Sequence, residues 1–129
     1  KKWVGMIYII NYLDLSYVFY FALDDSQRGQ GIGSAVLREI HKLYSGRRFF
    51  LALEQLDKNA ENYAQRLSRS RFYLKNGLKK LKISIKEGNV VYDSMGFGGE
   101  VKPDEYMAMM KNYTGFFFSM LYKVEMFEN

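Results

Sequence analysis

The sequence has no cysteine and only one histidine, His41. The absence of cysteine excludes disulfide bonds, thiolate metal sites and a cysteine nucleophile, and it permits the cytoplasmic location that we predict. A single imidazole is too few for a histidine-built metal site, so we predict no metal cofactor. We expect His41 to be a solvated or half-exposed helix residue, because the sequence places no second ligand or base beside it.

Long apolar runs are also missing. No stretch approaches the roughly 18 apolar residues that a membrane-spanning helix needs, and no signal-peptide pattern is present, so we expect no membrane partner. The chain begins at Lys1 rather than at a methionine and is already strand-like by Trp3. We take this to indicate that an N-terminal portion is missing from the sequence.

The residues that are present indicate a globular protein. Of 129 residues, 48% are hydrophobic, 26% are charged and 17% are aromatic. Such a chain forms most simply one domain, over 1–129, with a sizeable core. The net charge of +5 fits either nucleic acid or an anionic cofactor. Because the basic residues are scattered rather than clustered, we favour the cofactor and predict no nucleic-acid partner.

Hydrophobic periodicity and turn residues predict the element order β, β, α, β, α, β, β, α, β, which indicates an α/β (α+β) fold with helices flanking a sheet. The predicted strands cover 3–12, 16–23, 48–53, 78–85, 90–95 and 116–127, and the predicted helices cover 32–43, 59–75 and 103–112. The second strand is apolar at nearly every position, so we expect both of its faces to be covered.

The same patterns predict which side chains face inward. In the first helix the predicted inner stripe is Ile32, Ala35, Val36, Ile40 and Leu43. In the second helix it is Tyr63, Leu67, Ser70 and Leu74, with Ala60 and Ala64 adding to it. In the strand over 78–85, alternation places one face in the core and the other in solvent, where we expect Lys80, Lys82, Ser84 and Lys86.

A glycine-rich stretch between the second strand and the first helix is the clearest functional signal. Arg28 is followed by glycines at alternate positions, Gly29, Gly31 and Gly33, directly before an amphipathic helix. A glycine loop at a helix N-terminus presents backbone N–H groups to an anion, because the first-turn N–H groups have no internal partner. The spacing G-x-G-x-G differs from the dinucleotide fingerprint and from the nucleoside-triphosphate loop.

Two motifs together resemble the GNAT acetyltransferase superfamily. Residues 28–33 match [QR]-x-x-G-x-[GA], residues 73–78 match Y-x-x-x-G-[FL], and the run 59–73 looks like a bacterial branch. The resemblance implies the GNAT acyl-CoA N-acyltransferase fold, a mixed and mostly antiparallel twisted sheet flanked by helices. It covers a cofactor-binding core of about 2–95, followed by an extension over about 96–129. A complete member has a strand, two helices and another strand before this segment, so the fold would be N-terminally incomplete.

The resemblance further implies acetyl-CoA as the cofactor, with its pyrophosphate on the backbone N–H groups of 29–34 and its pantetheine arm paired with strand backbone. The implied cofactor-binding residues are Phe21, Ala22, Leu23, Arg28, Gly29, Gln30, Gly31, Ile32, Gly33, Ser34 and Asn62. Many relatives carry an asparagine seven residues before the tyrosine, where this chain has Arg66. Arg66 or Arg69 on a CoA phosphate, and a solvated basic helix face, both remain open.

Two catalytic residues follow from the same resemblance. The Tyr73 hydroxyl would protonate the leaving thiolate, a step that a positioned donor assists; the alternative is that Tyr73 only packs inside. Glu54 would act as a base or hold a water, the alternative being a solvated strand-end glutamate, with Asp57 as the reserve base.

The expected function is that of an acetyl-CoA-dependent N-acetyltransferase, in which a primary amine attacks the thioester directly. The acceptor would be a small-molecule or peptide amine. The alternative is a catalytically weak CoA-binding or partner-interaction module that retains the fold. The aromatic run 116–122 is either a core strand or a dimer patch, so a homodimer is possible.

Overall fold

The computed structural model of the chain describes residues 5–23, 31–121 and 125–128. Its elements follow the predicted order: β1 (Gly5–Tyr12), β2 (Leu15–Leu23), α1 (Ile32–Leu43), β3 (Arg48–Glu54), α2 (Tyr63–Lys75), β4 (Lys79–Glu87), β5 (Val90–Phe97), α3 (Pro103–Leu121) and β6 (Glu125–Glu128). No helix within these residues is both long enough and apolar enough to cross a membrane.

The strands form one six-stranded sheet in the order β1-β2-β3-β5-β4-β6. β2 and β3 run parallel, and the other neighbouring pairs run antiparallel. A parallel pair needs a long crossover, which α1 supplies here, whereas antiparallel neighbours can be joined by short turns. The mixed, mostly antiparallel sheet predicted for the chain is therefore confirmed.

Helices cover both faces of the sheet, and the alternation of strand side chains divides the core between them. Phe49 and Phe50, next to each other in β3, are both fully buried but on opposite faces. Phe49 packs with Leu37 of α1 on what we call the α1/α2 face. Phe50 packs with Met109 of α3 on what we call the α3 face. Burying a side chain of this size stabilises the fold by about 2–3 kcal/mol.

The inner faces of the first two helices differ from prediction. In α1 Ile40 is buried as predicted, and Gly33 and Leu37 are the other buried positions, whereas Ala35 is exposed and Leu43 is 74% exposed. The 3.6-residue period admits either stripe, and contact with β3 selects the one containing Leu37. In α2 no residue is fully buried, and Leu74, predicted to face inward, is 53% exposed.

Two helix boundaries were also predicted wrongly. α2 begins at Tyr63 instead of 59, because the Asp57 carboxylate accepts the N–H of Asn59 at 2.9 Å and holds the preceding residues in a turn. α3 continues to Leu121, so 116–121 is helical, and among the described residues after it only 125–128 form a strand, β6. Consecutive aromatic residues favour a strand, but a helix already begun at Pro103 propagates at little cost.

Two expectations about strand exposure were wrong as well. Phe19 on β2 is 55% exposed, so that strand is not covered on both faces along its length. Ser84 on β4 is buried, and its hydroxyl donates to the Asp93 carboxylate at 3.3 Å, which satisfies the polar group inside the core. The predicted inward alternation of Leu81, Ile83 and Ile85 is confirmed.

Candidate cofactor site

A gap opens in the middle of the sheet between β2 and β3. Their parallel pairing joins Leu15–Val18 to Arg48–Leu51, and no pair follows between the described residues 19–23 and 52–54. On their outer sides both strands stay paired, β2 with β1 up to Leu23 and β3 with β5 up to Glu54. The backbone of β2 beyond Val18 therefore lines an opening instead of a ladder.

A β-bulge lies where the gap begins. Tyr8 pairs with Tyr20 and Ile9 pairs with Val18, so Phe19 is the extra residue of β2. A bulge bends its strand and increases the local twist. This bend gives a physical reason for the divergence of β2 from β3.

The N-terminus of α1 follows β2 in the chain and carries no side-chain cap. Its first helical hydrogen bond runs from the Ala35 N–H to the Gly31 carbonyl at 3.0 Å, so the N–H groups of Ile32, Gly33 and Ser34 precede the helical ladder. The first turn contains no acidic residue. The helix dipole makes this end attractive to an anion.

Gly31 gives this helix end its shape. Its φ of 75° lies in the left-handed region that favours glycine, and an added Cβ would meet nothing within 4 Å. No described residue therefore fills the space beside Gly31. Arg28, Gly29 and Gln30, which the sequence places in the same cradle, lie outside the described residues.

Glu54 lies at the end of β3 and is held by two residues of the following helix segment. Its Oε1 accepts from the Asn62 amide at 3.2 Å, and its Oε2 pairs with Arg66 Nη2 at 2.9 Å. Arg66 also donates from Nε to the side-chain Oδ1 of Asn62 at 2.8 Å and from Nη1 to the backbone carbonyl of Gln55 at 2.7 Å. Glu54 is therefore not a solvated strand-end residue.

The same contacts bear on the other predicted roles. Arg66, with a side chain only 16% exposed, ties α2 to β3 and is not part of a solvated basic face. Both polar atoms of the Asn62 amide are engaged, so its contact with a cofactor stays a prediction. Asp57 is exposed, and its carboxylate supports the turn before α2.

Tyr73 lies on the α1/α2 face, half-buried among the hydrophobic side chains that also include Phe21 of β2. Its ring contacts Phe72 edge-on at 5.2 Å between centroids. Burial raises the pKa of the Tyr73 hydroxyl above its usual value, and the opposing effect of the Arg69 charge is smaller. The hydroxyl is thus protonated at neutral pH and remains a proton donor.

The two predicted catalytic residues, Glu54 of β3 and Tyr73 of α2, lie beside different parts of α2. Glu54 contacts the first turns of the helix, and Tyr73 lies seven residues beyond Arg66, which is about 10 Å along the axis at 1.5 Å per residue. Tyr73 faces the same core cluster as Phe21, whereas Glu54 is opposite Tyr92 in the β3–β5 register.

Sequence reasoning missed the Glu54–Asn62–Arg66 cluster and the contacts of His41. The spacing of Asn62 and Arg66, four residues apart, is the signal that could have indicated a side-chain pair on one helix face. His41 is half-buried as expected, but its Nε2 lies 2.9 Å from the Asn76 carbonyl and its ring stacks on Phe97. It links α1 to the end of α2.

Within the described residues no group of three or more acidic or histidine side chains is placed to hold a metal ion. The sequence matches no family model and no curated protein.

Solved structures do match the fold. A GNAT-family protein from Bacteroides thetaiotaomicron aligns with a TM-score of 0.58 and 18% identity over 92% of this chain and 66% of its own. A ribosomal-protein alanine N-acetyltransferase from Escherichia coli aligns with a TM-score of 0.55 and 17% identity over 78% of this chain and 64% of its own. An aminoglycoside 6'-N-acetyltransferase complexed with coenzyme A aligns with a TM-score of 0.55 and 19% identity over 78% of this chain and 69% of its own. The chain thus spans about two thirds of the length of these proteins.

Proposed function

Because the chain has the fold of the GNAT acetyltransferases, we propose that it is an acetyl-CoA-dependent N-acetyltransferase acting on a primary amine of a small molecule or peptide. The observation that carries the proposal is the gap between β2 and β3, which follows the bulge at Phe19 and precedes an uncapped helix N-terminus. A neighbour in the comparison was solved with coenzyme A bound.

The residues present fit this cofactor. Its pyrophosphate is an anion, and α1 offers N–H groups ahead of its first hydrogen bond, with no described residue within 4 Å of a Cβ added at Gly31. Its pantetheine arm carries amides. The backbone N–H and C=O groups of Phe21, Ala22 and Leu23, on the side of β2 that is not paired with β3, can hydrogen-bond to these amides as an added strand would. When bound, acetyl-CoA supplies the acetyl group as an activated thioester.

In this proposal the side chains manage protons and position. The Tyr73 hydroxyl, kept protonated by burial, donates a proton to the departing sulfur. Glu54 accepts the proton of the acceptor amine through a water. Asn62 and Arg66 already contact its two oxygens, but each oxygen keeps a lone pair that can accept a hydrogen bond from that water. Backbone N–H groups at the gap polarise the reacting carbonyl.

A second candidate is a CoA-binding or partner-interaction module with little turnover. The contacts of Glu54 favour it, because Asn62 and Arg66 already engage both of its carboxylate oxygens. The two candidates share the cofactor site and differ only in chemistry.

Tyr73→Phe separates the two candidates. For an acetyltransferase we expect the wild type to release thiol from acetyl-CoA with a panel of primary amines and peptides, and the variant to lose about 100-fold in kcat. Its affinity for acetyl-CoA and its thermal midpoint should be unchanged, because one hydroxyl is removed and the ring is kept. Tyr63→Phe on the same helix is the matched control. Binding of acetyl-CoA without thiol release on any amine would favour the module.

The predicted homodimer and the predicted cytoplasmic location stay predictions. Sedimentation of the purified chain at several concentrations tests the first.

A further inference from the structure

A cleft of about 540 Å³ lies at the other end of α1 from the proposed cofactor site, lined by Asn11, Tyr12, Leu13, Leu43, Tyr44 and Arg47. The 12 residues of α1 separate it from Gly31 by about 18 Å at 1.5 Å per residue. It adjoins the start of β3, whereas the gap between β2 and β3 opens towards the other end of those strands. The cleft is therefore independent of the proposed function.

Arg47 gives the cleft a positive charge that pairs directly with no described carboxylate, and Asp14 lies near enough for the two charges to interact at longer range. Its side chain is half-buried, with Nε donating to the Ser16 hydroxyl at 2.8 Å and Nη2 to the Leu15 carbonyl at 2.7 Å, both uncharged acceptors. Among the described carboxylates none lies within ion-pair distance of Arg47, in contrast to Arg48 and Arg66. Its Nη1 donates to no described residue, so this nitrogen can bind an anion.

Two leucines border the cleft without packing against the core. Leu13 and Leu43 are 78% and 74% exposed, the highest values among the large hydrophobic residues that the structure describes. Leu13 also has a φ of 51° in the turn between β1 and β2, a conformation that disfavours leucine. Backbone strain of this kind is common where a residue contacts a ligand, which motivates such a role for Leu13.

We propose that this cleft binds a carboxylate carried on an aliphatic chain. Arg47 pairs with the carboxylate through its available N–H groups, and Leu13 and Leu43 cover the chain. The carboxylate can belong to a small acid or to an acidic side chain beside leucine in a peptide, because both present the same chemistry.

An amide NMR titration with octanoate tests the proposal, with octanol as the uncharged probe of the same length. We expect octanoate to shift the amide signals of 11–13 and 43–47 to saturation and to bind at least about tenfold more tightly than octanol, which is the worth of one charge-assisted contact. The peptide acetyl-Leu-Glu-Leu-amide distinguishes the sources: tighter binding than octanoate indicates a peptide ligand, and weaker binding indicates a small acid. Equal affinity for octanoate and octanol, or shifts that never saturate, would overturn the proposal.

Variants locate the binding. Arg47→Gln should reduce the affinity for octanoate to that for octanol. Because this change also removes contacts to Ser16 and Leu15, Leu13→Gly provides a second variant: it should raise the thermal midpoint by relieving the strained turn while weakening octanoate binding severalfold. Leu56→Ser, at an exposed leucine outside the cleft, is the control and should leave binding unchanged. Unchanged octanoate affinity in Leu13→Gly would show that Leu13 does not contact the aliphatic chain, and this would overturn the proposal.

Discussion

At the scale of single residues, Glu54 illustrates how a neighbour sets the chemistry of a carboxylate. It ends β3 beside the gap, but Asn62 and Arg66 hold both of its oxygens. These contacts fix its orientation and keep it in place against α2. A carboxylate held in this way suits a role in positioning a water or an amine.

Glu54→Gln tests that role. We expect kcat to fall by about 100-fold, because the amide cannot accept a proton, while the affinity for acetyl-CoA stays the same. Steady-state kinetics and calorimetry measure the two quantities. Asp57→Asn is the matched control, since this carboxylate lies three residues on and only supports a turn. Equal losses of kcat in both variants would remove Glu54 from the mechanism.

Arg48 joins the β1–β2 turn to the start of α3. It pairs with Asp14 and with Glu105, each time with two nitrogens at 2.8 Å. The guanidinium lowers the pKa of the Asp14 carboxyl, and it likewise holds the pKa of Glu105 below its usual value. Carboxyls with lowered pKa values stabilise the fold most above their unfolded pKa, near 4, and this stabilisation is lost as the pH falls through the folded pKa values.

The loss of stability caused by Arg48→Met should therefore depend on pH. At pH 7 we expect a small but measurable loss in the free energy of unfolding, because the partners are partly exposed to solvent. Between pH 4 and pH 2 the difference from the wild type should shrink, since protonated carboxyls no longer pair. Urea unfolding at several pH values measures it. A difference that is constant over this range would mean that packing of the arginine stem, and not charge, provides the stability.

At the scale of elements, β5 approaches β3 closely at Gly96. A Cβ added there would lie 2.1 Å from the Phe49 carbonyl oxygen and 2.9 Å from the Phe50 Cβ. Both neighbours are fully buried in β3, so the backbone there cannot yield easily. The absence of a side chain at Gly96 thus permits the pairing that supports one edge of the gap.

We expect Gly96→Ala to destabilise the protein by about 3 kcal/mol, as overpacking of a rigid core does. Thermal and urea unfolding measure the loss. Gly88→Ala, in the open turn between β4 and β5 with nothing within 4 Å, is the control and should cost only about 1 kcal/mol from its positive φ. If Gly96→Ala were as stable as Gly88→Ala, β3 and β5 could move apart to admit a side chain, and the close approach at Gly96 would not be required.

At the scale of the whole molecule, the sheet consists of two paired halves, β1 with β2 and β3 with β5, β4 and β6, joined by a short parallel segment. Sequence periodicity predicted the order of these elements, because alternating strands such as β4 and amphipathic helices such as α1 carry their period locally. The outcome differed where distant contacts decide: Leu37 instead of Leu43 faces β3, and α3 continues through aromatic residues that favour a strand.

The candidate site was predictable only in part. The glycine spacing predicted an anion site at the start of α1, and the structure has an uncapped helix end there with Gly31 in a left-handed conformation. The partners of Glu54 were not predictable from its position at a strand end, because Arg66 reaches it only after the chain has turned into α2. The pairing of β2 with β3 ends at Val18 and Leu51, and this end point likewise depends on the folded sheet and could not be predicted from the sequence.

Calorimetric titration of acetyl-CoA into wild-type, Gly31→Glu and Gly46→Glu proteins tests the central claim most directly. Gly31 and Gly46 flank α1, both have positive φ, and at both an added Cβ would meet nothing within 4 Å, so the two substitutions strain the fold alike. We predict that the wild type and Gly46→Glu bind with similar affinity, and that Gly31→Glu binds at least about tenfold more weakly, because its carboxylate competes with the pyrophosphate for the helix N-terminus. Full affinity in Gly31→Glu, or no binding by the wild type, would contradict the account.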